Sequence, residues 1–472
     1  MATATVDRAS EFLGGLFNSL TIRGRNLFRF GSSQPMTHDE LIELGEALLS
    51  RRGEATGVAL AASLLAGYAA AADDDKAAFL DALAEKFGPE LELINEAIAA
   101  VQASGGSPDS VGLLQRAAEP RRQELIRRLN LAPGGTAALV KMREAVQARL
   151  AEHPQFKHVD DDFVHLFSSW FNRGFLVLRR IDWTTPANIL EKIIRYEQVH
   201  AIHDWDDLRA RLAPPDRRCY GFFHPQLVDE PLIFVEVALT ADKPGAIAPL
   251  LDLGRAPIAA SDATTAVFYS ISNTQRGLAG ISFGNFLIKQ VVEEIKRELP
   301  NVQTFVTLSP VPGFTKWLAR ERDNAESKLL DASAREALTA LDDPHWADDA
   351  DTVALVQPLL CGLAAAYFLQ AKNKRGQPLD PVARFHLGNG ARLDRLDFLG
   401  DRSPNGMRQS HGMMVNYLYA LDEIESNHEA FAERGQVAAS SSVRKLLPTK
   451  PLSAEPRKTA TKQVPLAISP PA

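Results

Sequence analysis

The sequence predicts an α+β protein, an all-helical N-terminal domain followed by a mixed β-sheet domain flanked by helices. Three observations carry this. Residues 37–150 are rich in Ala, Leu, Glu and Arg at helical spacing; from residue 218 onward short β-branched and aromatic runs alternate with turn residues; and strand, glycine loop, helix and strand follow one another across residues 265–308. We read the domains as a helical domain 1–190, a sheet domain 191–435 and a tail 436–472.

In chain order, residues 1–30 carry Arg8, Arg23, Arg25 and Arg29 among apolar positions. Asp7 and Glu11 set them apart from an import presequence, so a short amphipathic helix or a tail is expected. Phe79, Leu83 and Phe87 stand at i, i+4 and i+8, with Leu91 continuing the stripe. Gly88-Pro89, Pro120 and Pro133-Gly134-Gly135 cut the segment into separate helices, and Asp73-Asp74-Asp75 reads as a solvated turn between two of them. A further helical stretch covers residues 163–171. Residues 218–223, 231–239, 265–271 and 303–308 read as strands, bounded by Asp, Pro and His. The last two are joined by a glycine loop over 273–280 and a helix over 283–298, which makes a crossover unit. The tail holds six prolines, six basic residues and one acid, too little apolar material for a core, and is read as disordered. It ends Pro-Pro-Ala rather than in a peroxisomal Ser-Lys-Leu address, and we expect a cytoplasmic protein.

Composition narrows the function. Apolar residues make up 45% of the chain and charged residues 24%, the balance of a globular protein. With 52 Lys and Arg against 59 Asp and Glu the net charge is −7, which argues against nucleic acid or an anionic membrane as the main partner. No apolar run is read as reaching the ~18 residues of a membrane span. Two cysteines, Cys219 and Cys361, are too few for a disulfide framework or a four-ligand zinc site and read as reduced thiols. His200, His203 and His224 fit no zinc spacing, so no metal site is assigned.

Two features carry chemistry. A glycine turn running into a helix leaves backbone N–H groups unpaired at the positive end of the helix dipole, a seat for a pyrophosphate, and Gly277, Gly280, Gly284 and Arg276 suit that role. The loop is neither a Walker loop nor a G-x-G-x-x-G turn. Ser309 follows an apolar strand, and His386 is read at a strand end running into a turn. On residues alone, Ser309 equally suits a helix-capping serine and His386 a hydrogen-bonded core ring. There is no G-x-S-x-G elbow around Ser309.

The glycine loop is similar to the acyl-CoA pyrophosphate loop of the N-acetyltransferase fold. Taken together, Phe268-Tyr269-Ser270-Ile271-Ser272, residues 280–289 and residues 308–318 (Leu-Ser-Pro-Val-Pro-Gly-Phe-Thr-Lys-Trp-Leu) resemble the malonyl-CoA decarboxylase family. Residues 381–391 (Pro-Val-Ala-Arg-Phe-His-Leu-Gly-Asn-Gly-Ala) and 412–419 (Gly-Met-Met-Val-Asn-Tyr-Leu-Tyr) resemble two further signatures, so the likeness spans about 195–430. It implies a helical oligomerisation domain ahead of an acetyltransferase-like catalytic domain. It also implies release of CO2 from malonyl-CoA to give acetyl-CoA, a step in fatty acid metabolism, without metal, biotin or thiamine.

The resemblance carries the catalytic pair onto Ser309 and His386, and a supporting tyrosine onto Tyr419, read on a helix. The substrate loop falls on Ala279, Gly280, Ile281, Ser282, Phe283, Gly284 and Asn285. At Ser282 the animal members carry an acidic residue, so only the backbone role transfers there. Loss of CO2 leaves an enolate, which needs oxyanion donors and a proton on carbon. Ser309 is expected to hydrogen-bond the malonyl group and act in proton transfer, and His386 to deliver the proton to carbon; spacing alone leaves open which of the two protonates it. Self-association as a dimer or tetramer through the helical domain is expected. The competing readings are an acyl-CoA-dependent N-acyltransferase and a non-catalytic malonyl-CoA sensor, which product analysis separates.

Overall fold

A computed structural model describes residues 35–50, 53–281 and 287–454. The chain divides into two compact units, one ending at Ser169 and the other beginning at Trp170.

In the first unit, among the described residues, helices run over His38–Leu49, Glu54–Ala70, Asp73–Glu85, Leu91–Ala103, Pro108–Ala118, Arg121–Leu129, Gly135–Arg149 and Phe156–Trp170. Phe79, Leu83 and Phe87 are buried, as their spacing predicts. Leu91 is not part of that stripe. It is 67% exposed, because the helix ends at Glu85 and Gly88-Pro89 redirects the chain before the next helix starts. The three acids Asp73, Asp74 and Asp75 form the first turn of a helix, where the dipole favours negative charge, and Asp75 accepts from His38 N at 2.9 Å. Two buried ion pairs, Arg143–Asp160 at 2.8 Å and Arg122–Asp162, tie the last helix to its neighbours.

The second unit is built on a mixed sheet of β1 (Val177–Ile181), β2 (Arg217–Phe223), β3 (Pro231–Thr240), β4 (Thr265–Asn273), β5 (Thr304–Thr307), β6 (Ser309–Pro310), β7 (Arg392–Asp397) and β8 (Met414–Leu418). β1 to β4 pair antiparallel in sequence order. β4 and β5 are parallel, joined through the amphipathic helix Leu287–Glu298, whose Val291, Val292 and Ile295 are buried. This is the crossover read from the sequence. β8 pairs antiparallel with β5, β6 and β7.

Three further expectations change. β1 lies inside the span read as helical: Val177–Ile181 pairs residue for residue with Phe223–Cys219, so the sheet unit begins about twenty residues earlier than read. The tail read from 436 onward stays packed as far as 454. Leu393 N donates to Ala438 O, Val443 is buried within the helix Ser441–Leu446, and Leu452 exchanges backbone bonds with residues 329 and 331. A few apolar anchors spaced along a proline-rich segment suffice to dock it. Residues 455–472, and the amphipathic lead-in at 1–30, lie outside the described residues. The helix Ala350–Leu369 is, against expectation, long and apolar enough by length and composition to cross a membrane; here more than half of it is buried, with Leu359, Leu360 and Leu363 in the core.

The turn after the helix Pro381–Gly388 depends on glycine. Gly390 has φ +82°, and a Cβ there would stand 2.2 Å from the Ile424 carbonyl oxygen. Gly390→Ala should therefore destabilise the second unit by ~2 kcal/mol or more. Chemical denaturation checks this, and an unchanged midpoint would contradict the packing described.

Candidate active site

The sheet opens at one place. β4 and β5 pair from Thr265↔Thr304 to Phe268↔Thr307, and Leu308 N still reaches Phe268 O at 3.0 Å. Beyond that point β4 stays with β3 as far as Asn273, whereas Ser309 and Pro310 pair with Val415 and Met414 of β8. Opposite the opening β4 carries a bulge. Glu236 pairs Ser270 and Val237 pairs Phe268, which leaves Tyr269 as an extra residue. A bulge bends and twists its strand, and here both Phe268 and Tyr269 border the cavity, with the Phe268 ring facing Tyr419 at 6.3 Å and the Tyr269 ring packed on the other face of the sheet among Ala238, Val267 and Leu308.

The helix Pro381–Gly388 forms the facing wall. Asp380 caps it by accepting from Ala383 N at 2.8 Å, and Pro381 takes the first helical position, where its missing N–H is harmless. Val382, Phe385 and His386, at i, i+3 and i+4, then share one face. With Ser309, Ile271 and Val199 they line a cavity of about 260 Å³.

On its floor is a buried polar chain. Ser309 Oγ lies 3.2 Å from His386 Nε2 and donates to Thr307 Oγ1 at 2.8 Å; His386 Nδ1 lies 2.8 Å from the Tyr419 hydroxyl. Thr307 Oγ1 is itself held by Tyr417 N at 3.1 Å, and the Tyr417 ring stacks on His386 with centroids 4.6 Å apart. Burial holds the His386 ring well below its ordinary 6.5, at about 3, so the ring is neutral. Burial also pushes the Tyr419 phenol up, so it keeps its proton. Among the described residues the acceptor in reach of that phenol is His386 Nδ1. The phenol therefore donates to Nδ1, the ring proton is on Nε2, and the ring donates to Ser309 Oγ while Ser309 donates to Thr307. Every bond in the chain points the same way.

Sequence reasoning named Ser309, His386 and Tyr419, and the structure brings the three together. It corrects two of their settings. His386 is in the last turn of a helix, not at a strand end: the Asp380-Pro381 cap signature marks that helix, but the glycines at 388 and 390 dominate the reading. Tyr419 follows β8 and extends the pairing through Tyr419 N to Phe305 O at 2.8 Å, rather than standing on a helix. Thr307, Tyr417 and Phe385 went unnamed; nothing in their local sequence separates them from core residues.

Arg276, Ala279, Gly280 and Ile281 line a second cavity of about 390 Å³, together with Gln198, Gln275, Arg384 and Asn389. Gly280 has φ +78°, the left-handed conformation that glycine allows. Asn273 and Phe385 line both cavities, so the two meet there. Ser282, Phe283, Gly284 and Asn285 lie outside the described residues.

The other candidate groups are committed elsewhere. His224 Nε2 meets Trp170 O at 3.1 Å, His203 faces Asp207, and His200 is buried with its pKa pushed down to about 4. Among the described residues no group of three or more His, Cys, Asp or Glu could hold a metal ion. Burial pushes the Cys361 thiol up to about 11 and raises that of Cys219, so neither is a ready nucleophile.

Comparison with known proteins matches both units. The profile of the malonyl-CoA decarboxylase C-terminal domain matches residues 174–458, and that of the N-terminal domain matches residues 87–171. The mitochondrial malonyl-CoA decarboxylase of Anser anser anser is 36% identical over 401 residues, covering 78% of this chain and 79% of that protein. The crystal structure of malonyl-CoA decarboxylase from Rhodopseudomonas palustris is similar at 81% identity and a TM-score of 0.85, covering 87% of this chain and 100% of that one. That from Agrobacterium vitis is similar at 56% identity and a TM-score of 0.83, over the same shares. With both domains matched and more than three quarters of the chain aligned to a relative above one third identical, this chain belongs to the malonyl-CoA decarboxylase family of carboxy-lyases.

Proposed function

We propose that the chain converts malonyl-CoA to acetyl-CoA and CO2, with Ser309 and His386 at the reacting group and Tyr419 behind the ring. The observation that carries this reading is the one-directional chain from Tyr419 through His386 to Ser309 on the floor of the cavity. The CoA arm runs along the second cavity past Arg276, Ala279, Gly280 and Ile281, and the malonyl group passes Asn273 and Phe385 to reach Ser309.

In the reaction the bond from the α-carbon to the carboxylate breaks, its electron pair passes into the thioester as an enolate, and CO2 leaves. Ser309 hydrogen-bonds the malonyl group; a donor aimed at the growing oxyanion is worth ~3 kcal/mol. The proton that ends on carbon comes from His386 Nε2, directly or through the Ser309 hydroxyl, and solvent refills the chain. A thioester enolate is basic enough at carbon to take a proton from neutral donors, so no imidazolium is needed. Among the described residues lining the reaction cavity none is Lys or Arg. The carboxylate therefore enters a poorly solvated place with no counter-ion, which favours the step that disperses its charge.

We also propose self-association through the helical unit. Leu91, Leu93, Ile98, Val111 and Leu113 are all more than one third exposed on the helices Leu91–Ala103 and Pro108–Ala118, apolar surface that a second copy would cover in part.

Purified protein mixed with malonyl-CoA, with no metal added, should yield CO2 and acetyl-CoA in equal amounts. His386→Ala should lower turnover by roughly 10²- to 10⁴-fold while CoA binding persists. Malonyl-CoA bound but left intact would sink the proposal in favour of a sensor. In Tyr419→Phe the ring loses the partner that fixes its tautomer, and kcat should fall roughly 10- to 100-fold with KM little changed. Because the His386 ring titrates near 3 rather than 6.5, kcat/KM of the wild type should show no inflection from this ring between about pH 5 and about pH 8. An inflection near 6.5 that disappears in His386→Asn would show a protonated ring to be the acid instead.

A further inference from the structure

The segment between the helices Ala187–Tyr196 and Trp205–Leu212 has no regular structure, yet two buried charged side chains hold it. The Glu197 carboxylate accepts four hydrogen bonds: from Val199 N at 2.7 Å and His200 N at 2.9 Å on one oxygen, and from Ser270 Oγ at 2.6 Å and Ser272 Oγ at 3.3 Å on the other. The Arg211 guanidinium takes the carbonyls of the same segment, donating to His200 O at 2.7 Å and Ala201 O at 3.0 Å, and is anchored by Glu236 at 3.2 Å and Asp207 at 3.0 Å. A surface loop normally leaves its backbone groups to water. Burying a carboxylate and a guanidinium to satisfy them is expensive unless the conformation so fixed is needed.

What the clamp fixes is a third wall for both cavities. Alternation along β4 sends Ile271 and Asn273 toward the cavities and Ser270 and Ser272 toward Glu197, so one carboxylate ties the segment to the strand that lines the site. Between the anchored positions, Gln198 lines the larger cavity and Val199 the smaller. Four residues with primary amides, Gln198, Asn273, Gln275 and Asn389, line the larger cavity; Gln275 Nε2 also donates to Glu230 at 3.3 Å and Asn389 Nδ2 to Phe385 O at 2.7 Å. That donor and acceptor set suits a ligand arm that itself carries amides, as the pantetheine arm of an acyl-CoA does.

We infer that Glu197 is a positioning residue, which folds the segment against β4 so that Gln198 contacts the amide-bearing arm of the acyl thioester and Val199 closes the reaction cavity. The inference rests on the acyl-CoA reading proposed above and gives that site a contact that neither the glycine loop nor the Ser309–His386 pair supplies.

A double-mutant cycle tests it, with kcat and KM for malonyl-CoA and the calorimetric Kd for CoA measured in Glu197→Gln, Gln198→Ala and the double variant. Gln198 is exposed, so its truncation should leave the fold intact. Each single change should raise KM and Kd about 3- to 10-fold, the range of one or two lost hydrogen bonds, with kcat moved less. The double variant should be no worse than the weaker-binding single, because Gln198 has no placed contact left to lose. Equal effects of Gln198→Ala in both backgrounds, or an unchanged KM and Kd in Gln198→Ala, would overturn the inference. Should Glu197→Gln fail to fold, Ser270→Ala with Ser272→Ala removes two of the four donors and should weaken binding in the same direction. A wild type that binds CoA but leaves malonyl-CoA intact defeats the decarboxylase proposal alone, and Kd across the same variants still reads the clamp.

Discussion

The site exists because two parallel strands stop pairing. β4 and β5 hold together for four residue pairs and then part, and three features make the separation irreversible. The extra residue at Tyr269 twists β4 away. β8 captures Ser309 and Pro310 on the other side, and Pro310 has no N–H with which to continue a ladder toward β4. The helix Pro381–Gly388 then fills the gap only in part, with its cap and its glycine end fixing how far His386 reaches. Had the strands stayed paired, Ser309 would carry on a ladder beside β4 and the ring of His386 would have no cavity to face.

Burial determines what the opened site can do. A ring exposed to water would take up a proton near neutral pH and lose any preference between its nitrogens. Enclosed by Tyr417, Tyr419 and Ser309, His386 is neutral and its two nitrogens have distinct partners. Buried polar chains of this kind hold only when each member is satisfied. Thr307 closes this one by accepting from both Ser309 and the backbone of Tyr417. The hydroxyl next to the serine is therefore part of the sheet's own hydrogen bonding, which couples the registration of β8 to the direction of the proton.

How much of this the sequence discloses depends on the range of the interactions. The helical half and the β4–helix–β5 crossover are legible because apolar periodicity and glycine punctuation are local. β1 is not, since Val177–Ile181 is largely exposed and only its pairing with β2 makes it a strand. The docking of residues 436–454 is hidden for the same reason. At the site, Ser309, His386 and Tyr419 are reached through family likeness. The helix under His386 was available from Asp380-Pro381 and the spacing of Val382, Phe385 and His386, and was masked by the glycines that follow. Thr307 and the Glu197–Arg211 clamp have no local signal at all, because their meaning lies in contacts between segments far apart in the chain.

Where the second unit places its buried charge is itself informative. Glu197, Arg211 and Glu236 are deeply buried on the side of β3 and β4 away from the reacting group, where they brace walls. The reaction cavity, among its described lining residues, has a hydroxyl, a neutral ring, an amide and apolar side chains. For a reaction that destroys a carboxylate, this separation is what differential binding requires. On the enolate route proposed above, a cation beside the substrate carboxylate would stabilise the ground state, where the charge is concentrated, more than the transition state, where it is passing into the thioester. Binding would tighten and turnover would fall. Rigidity drawn from ion pairs outside the cavity leaves the inside poor in charge, so the walls can be fixed without stabilising the group that has to leave.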